Sequence, residues 1–209
     1  MNIILASTSP RRRELLALLG ISFDIIPPTC DEILTSHFTP SEQAKQFAMD
    51  KALSIAADHP YDLILGSDTV IEIDGTLLGK PKDLKEAEIM LRQLRGRCHQ
   101  VHTGIALIQK ARNFSLALVE TALVWIKDFD EEELSKYLNT EESLGKAGAY
   151  SIQGEGAQLI EKIEGDYPII VGLPLWHTAK LLEKQGVVLP ISVEEVYQIK
   201  PYNNWKDFS

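Results

Sequence analysis

Residues 3–20 read IILASTSPRRRELLALLG. Residues 2–6, NIILA, form a short apolar run, as in a strand buried within a sheet. Ser-Thr-Ser then interrupts the run. Ser9 is a strong N-cap, and Pro10 suits the first helical position, where the missing N–H would be unpaired anyway. The spacing predicts a helix that buries Leu15, Leu16, Leu18 and Leu19 and stops at Gly20. A buried strand feeding directly into a helix is the unit from which α/β sheets are built. Arg11, Arg12 and Arg13 fall in the first turn, where the helix dipole already carries about half a positive charge. Three cations at that end are electrostatically misplaced unless an anion binds there. Backbone N–H groups, the dipole and guanidinium forks would then converge on it. The plain alternative is a solvated face, since arginine is a good helix former with a long reach.

The remainder of the chain sharpens this contrast. The net charge is −9 with a pI of about 5.1, yet the first thirteen residues carry +3, leaving −12 on the rest. A broad basic face for nucleic acid is therefore disfavoured. With 209 residues and 44% hydrophobic content, the chain can bury one substantial core. Residues 1–189 read as a single domain of two lobes, and 190–209 as a polar, aromatic tail with no assigned role. The N-terminus lacks a secretory-signal pattern, and no window approaches the roughly 18 apolar residues of a membrane span. Cys30 and Cys98 then read as free thiols, and the protein as soluble and cytoplasmic.

Further elements follow from local signals. SFDIIPP, residues 22–28, reads as a second strand ending in prolines. Thr39, Pro40 and Glu42 form a capping box that opens a helix whose buried face holds Ala44, Phe47, Ala48, Ala52 and Ile55. Lys51 lies in the middle of that apolar face. A lysine there either snorkels to solvent or meets an anion, which makes it a candidate phosphate ligand. LILG, residues 63–66, reads as a buried strand with Ser67-Asp68-Thr69 at its carboxyl end, where α/β sheets gather ligand-binding groups. Asp74-Gly75 signals a type I′ hairpin turn, and Asp83 with Glu86 caps a third helix. HQVHTGIALIQ and FSLALVETALVWIKD read as two long neighbouring strands. Residues 130–138 read as a short helix. Residues 146–156, KAGAYSIQGEG, read as a loop that brings backbone close to a ligand. A last helix begins near Pro174.

Arg11, Arg12, Glu32, Lys51, Asp68 and Lys80 all sit at element boundaries or misfit positions. Four cations with two acids suit a polyphosphate and a divalent metal: the cations offset phosphate charge, and the acids hold the metal and orient water. The reaction that fits is attack of water on a phosphoryl group. No Walker-type or Gly-x-Gly-x-x-Gly pattern supports a P-loop or Rossmann enzyme. His99 and His102 would point to opposite faces of a strand, so they cannot share a metal and read as structural.

LASTSPRRRELL, Asp31-Glu32, DKA at 50–52, GSDTV, GKP, GRCHQVHTG, KAGAYSIQGEG and GDYPIIVGLPL occur in this order. In these motifs the chain resembles the Maf family of nucleoside triphosphate pyrophosphatases over about residues 3–186. The resemblance implies an α/β fold with a mixed, elongated sheet flanked by helices and a cleft between two lobes, similar to the inosine triphosphatase group. It implies conversion of a nucleoside triphosphate to the monophosphate and pyrophosphate, with magnesium or manganese, and cobalt as a third option. Asp68 matches the catalytic acid. Glu32 matches an acid that helps hold metal or water. Ser7, Arg11 and Arg12 match the phosphate-binding turn, Lys51 and Lys80 the phosphate lysines, and Gln153 a substrate-loop glutamine.

Arg11, Thr69 and the loop with Gln153 side with the branch acting on dTTP and UTP, to which modified pyrimidine nucleotides are a natural extension. Ile169-Ile170 replace a more polar pair often seen there. The alternatives are a 7-methyl-GTP or other modified-nucleotide pyrophosphatase, and a nucleotide-binding regulator of septum formation whose partner would meet the aromatic tail. The resemblance also implies a homodimer.

Overall fold

The computed structural model describes residues 2–208. The strands are β1 (Ile3–Ala6), β2 (Asp24–Ile25), β3 (Leu63–Ile73), β4 (Thr76–Leu78), β5 (Cys98–Gln109), β6 (Phe114–Ile126) and β7 (Ile160–Glu164). They form one mixed sheet in the order β2-β1-β3-β5-β6-β7, with β4 paired to β3. β1 is parallel to both its neighbours, and the other pairings are antiparallel. The helices are α1 (Pro10–Ala17), α2 (Pro40–Ala56), α3 (Leu84–Leu94), α4 (Glu131–Leu138), α5 (Tyr167–Val171), α6 (Leu175–Lys184), α7 (Val193–Ile199) and α8 (Asn203–Asp207).

α2 lies alone on one face. Its capping box forms as the sequence predicts: Glu42 N–H donates to Thr39 Oγ1 at 3.3 Å, and Thr39 N–H to Glu42 Oε2 at 2.8 Å. Its small face, Ala48, Ala52, Ile55 and Ala56, packs on Ile4, Ala6, Ile64 and Ala106. Two glycines set the approach. A methyl on Gly66 would collide with the Ala48 carbonyl, and one on Gly104 with that of Ala44. The helix backbone thus rests directly on β3 and β5. The opposite face carries the larger core, in which Leu15, Leu16, Leu91, Tyr167, Leu175, Leu182 and Val193 meet Leu63, Leu65, Ile105 and Leu107.

Several sequence expectations are corrected. Ser67-Asp68-Thr69 is not at the end of a strand: β3 runs unbroken from Leu63 to Ile73. β1 is the strand that ends, pairing Ala6 with Gly66 before the chain turns off at Ser7. β3 continues because β5 pairs along it from Ile64 to Glu72. α1 ends at Ala17, and Leu18–Gly20 form a turn; Leu19 is buried all the same. The second strand shrinks to Asp24–Ile25, paired with Ile4 and Leu5, and Pro27 and Pro28 have no N–H with which to extend the ladder. Asp83 caps α3, but the Glu86 carboxylate accepts from Lys82 N–H, one residue earlier than the capping box requires.

The Asp74-Gly75 turn has the positive φ of a type I′ turn at both residues, 52° and 75°. The helix after Pro174 is not the last. Residues 193–199 and 203–207 are helical, and Val193, Val196 and Trp205 are buried. The tail aromatics, which the regulator alternative would give to a partner, pack largely on this chain's own core. No helix among the described residues is long and apolar enough to cross a membrane.

Candidate active site

Where β1 stops, β3 keeps a free stretch of edge, and groups from both faces of the sheet reach it. Period-two alternation puts Asp68 on the α2 face and Ser67 and Thr69 on the other. α2 carries Lys51 to Asp68, because the close approach at Gly66 and Gly104 sets its height over the sheet. The Lys51 ammonium donates to Asp68 Oδ1 and, at 2.7 Å, to Glu32 Oε1. Lys51 does not snorkel. It is 8% exposed and bridges two acids, whereas the Glu32 side chain is 42% exposed at the rim.

On the other face, Arg12 Nε donates to the Gly172 carbonyl at 2.8 Å and Nη2 to Thr69 Oγ1 at 3.2 Å. Ser67 Oγ shares its proton between the Gly104 carbonyl at 2.9 Å and the same Gly172 carbonyl at 3.0 Å. Thr103 Oγ1 donates to the Ile169 carbonyl at 2.7 Å and lies 3.0 Å from Thr69 Oγ1. Arg11 Nη1 donates to Ser151 Oγ at 3.3 Å. Ser9 caps α1, and Ser7 is buried with its hydroxyl accepting from Ser9 N–H at 3.1 Å. Arg13 is exposed. It is the solvated member of the three.

These groups line one cavity of about 730 Å³, which takes in Ser7, Arg11, Arg12, Glu32, Lys51, Asp68, Thr69, Lys80 and Gln153. Every site residue singled out from the sequence is therefore brought to the same place. A volume of several hundred Å³ suits a nucleotide-sized ligand. Five cations, including Lys146, face three acids, including Glu142. The wall is net positive on an acidic chain, so the cleft focuses a field that attracts anions.

Sequence reasoning missed Lys146, Glu142, Ser151, Thr103 and the Gly172 carbonyl. Lys146 had a signal, as the one cation in a glycine-rich run. Glu142 had none: it accepts from Glu155 and Gly156 N–H at 2.8 and 3.2 Å across a loop closed only by tertiary packing. His99 and His102 part as expected, His99 to Tyr150 and His102 to Thr121 and Glu72.

The electrostatics follow from burial. Desolvation raises the Asp68 carboxyl above the ordinary aspartate range, against the opposing pull of Arg12 and Lys51. Glu32 is also raised by burial, but Lys51, Lys80 and Arg12 outweigh it and leave the carboxyl lowered. Arg12 is lowered by desolvation, with Asp68 and Glu32 opposing. The carboxylates of Glu32 and Asp68 both reach one point, the Lys51 ammonium. Two such carboxylates would serve a hard divalent cation, its shell completed by water and phosphate, once Lys51 turned to a phosphate oxygen; among the described residues no group of three or more His, Cys, Asp or Glu gathers to hold a metal.

The Maf-like protein family model matches residues 2–185. The chain belongs to the Maf family. Among relatives, it is 46% identical over 184 residues to a dTTP/UTP pyrophosphatase of Clostridioides difficile, covering 88% of this chain and 95% of that one. It is 44% identical over 188 residues to a dTTP/UTP pyrophosphatase of Dictyoglomus thermophilum, covering 90% and 97%. A solved Ham1 protein of Staphylococcus aureus is similar at a TM-score of 0.45 and 17% identity, over 61% of this chain and 73% of that one.

Proposed function

We propose that this Maf-family chain is a metal-dependent nucleoside triphosphate pyrophosphatase that converts dTTP and UTP to the monophosphate and pyrophosphate. The observation that carries the reading is the buried Asp68, joined through Lys51 to Glu32 at the base of a cation-walled cavity. Maf relatives named dTTP/UTP pyrophosphatase support the substrate class. Arg11, Arg12 and Lys80 neutralise the triphosphate, with Ser7 at the turn. Lys51 orients the Asp68 carboxylate and offers its ammonium to a phosphate oxygen. A divalent cation held by Glu32 and Asp68, whether magnesium, manganese or cobalt, supplies Lewis-acid charge when bound.

Water attacks the α-phosphorus, and its proton passes to Asp68. The bond from the α-phosphorus to the bridging oxygen breaks, and its electron pair leaves on pyrophosphate. Arg11, Thr69 and Gln153 sort the base.

The test is pyrophosphate against phosphate release from dTTP, UTP, CTP, GTP and 7-methyl-GTP, with each metal and with EDTA. Pyrophosphate from dTTP and UTP, lost with EDTA and restored by metal, is expected. Release from another base would overturn the specificity, and metal-independent release the cofactor. No release from any of them by folded protein would overturn the activity.

A further inference from the structure

The family match ends at residue 185, and the segment beyond it packs on α5 and on the loop that carries Gln153. Ile191 N–H donates to the Leu19 carbonyl at 3.2 Å, where α1 and its turn finish. α7 and α8 then bury Val193, Val196 and Trp205. Trp205 stacks on Tyr167 at 5.5 Å, and Tyr197 meets it edge-on at 5.0 Å. Polar contacts from this segment reach the elements behind the cavity. The Tyr197 hydroxyl donates to the Asp166 carboxylate at the start of α5. Asn204 Nδ2 donates to the Ile152 carbonyl at 2.8 Å, in the loop beside Gln153.

These two wall segments hold the two cavity arginines. Arg11 rests on Ser151, next to Ile152. Arg12 rests on the Gly172 carbonyl, and Gly172 N–H closes α5 onto Pro168 at 3.0 Å. We infer that residues 192–208 are a positioning clamp for the substrate cleft, with Asn204 and Tyr197 as its positioning residues. Asn204 fixes the loop that seats Arg11 and presents Gln153. Tyr197, with the Trp205 stack, fixes the segment that seats Arg12. A glycine-rich loop left free would lose conformational entropy each time substrate bound, and a tether in place before binding removes that cost. The clamp therefore acts on substrate affinity and leaves the chemical step alone. Its kinetic readout rests on the reaction proposed above.

The experiment uses the full chain with Asn204→Asp, which keeps the shape but not the donor, and with Tyr197→Phe, which keeps the ring but not the hydroxyl. Hydrogen exchange is followed over 146–156 and 165–173 alongside KM and kcat for dTTP. Asn204→Asp is expected to speed exchange in 146–156 alone and raise KM about 5-fold, with kcat within about 2-fold. Tyr197→Phe should do the same through 165–173. Asn204→Gln, which keeps an amide donor, should recover part of the loss. Unchanged exchange in both segments overturns the clamp, as does faster exchange spread through the central strands or a fall in kcat at constant KM. If the wild-type chain releases no pyrophosphate, the proposed reaction fails while the exchange pattern still decides the clamp.

Discussion

Asp68 owes its position to the sheet and its chemistry to burial. It is 5% exposed, and its carboxyl is raised by desolvation while Lys51 holds its oxygen. Asp68→Asn keeps the shape and removes the proton acceptor. Turnover of dTTP should fall at least about 10²-fold with KM changed little, read by steady-state pyrophosphate release; near-normal turnover would remove Asp68 from the reaction. His99 makes a second prediction. Burial pushes its pKa down to about 4 from 6.5, its Nε2 meets the Tyr150 hydroxyl at 2.7 Å, and its Nδ1 has no partner. The folded state keeps this ring neutral while the unfolded chain protonates it. Between pH 6.5 and about 4 the unfolded state thus binds more protons, and stability falls as pH falls. The loss should approach roughly 3 kcal/mol by the lower end. Urea melts across this window should show the slope, and His99→Gln should flatten it.

Among the elements, α2 has the most to do with the site. Its N-terminal box is local and separable from the chemistry. Thr39→Ala should cost about 1 kcal/mol in a denaturant melt with dTTP kinetics unchanged. Its contact with the sheet is not separable. Gly66 and Gly104 let the helix backbone touch β3 and β5, and that height puts the Lys51 ammonium between Asp68 and Glu32. Gly66→Ala drives a methyl into the Ala48 carbonyl. It should cost on the order of 1–3 kcal/mol, and unlike Thr39→Ala it should also lower turnover by lifting Lys51 away. A stable Gly66→Ala variant with full activity would sever the link between helix height and site.

For the molecule as a whole, charge is distributed against the average. The chain is acidic at −9, yet five cations face three acids in the cleft. Salt screens such a local field, so KM for dTTP should rise about 3- to 10-fold between roughly 0.05 and 0.5 M salt, as a salt titration of initial rates will show; a flat profile would mean contacts alone hold the triphosphate. The sequence by itself determined what is local. The Ser9-Pro10 helix start, the Thr39 capping box, the Asp74-Gly75 turn and the pairing of β5 with β6 need only neighbours in the chain or an unbroken apolar run. It also picked out Arg11, Arg12, Glu32, Lys51, Asp68 and Lys80, because a charge in an apolar stripe, at a helix start or at an element boundary is a conflict visible without coordinates; the Maf resemblance supplied Ser7, Thr69 and Gln153, while Lys146, Glu142 and Ser151 escaped both. Tertiary structure alone decided the rest. Whether Asp68 lies at a strand end depended on which strand stopped, and that is set by pairing between residues about sixty positions apart. Whether Lys51 snorkelled or bridged two acids depended on helix height. Whether residues 192–208 faced solvent or packed on the fold depended on Tyr167, Asp166 and Ile152 waiting elsewhere in it. Local propensity is written in adjacent residues, whereas burial is a property of what the chain brings against them.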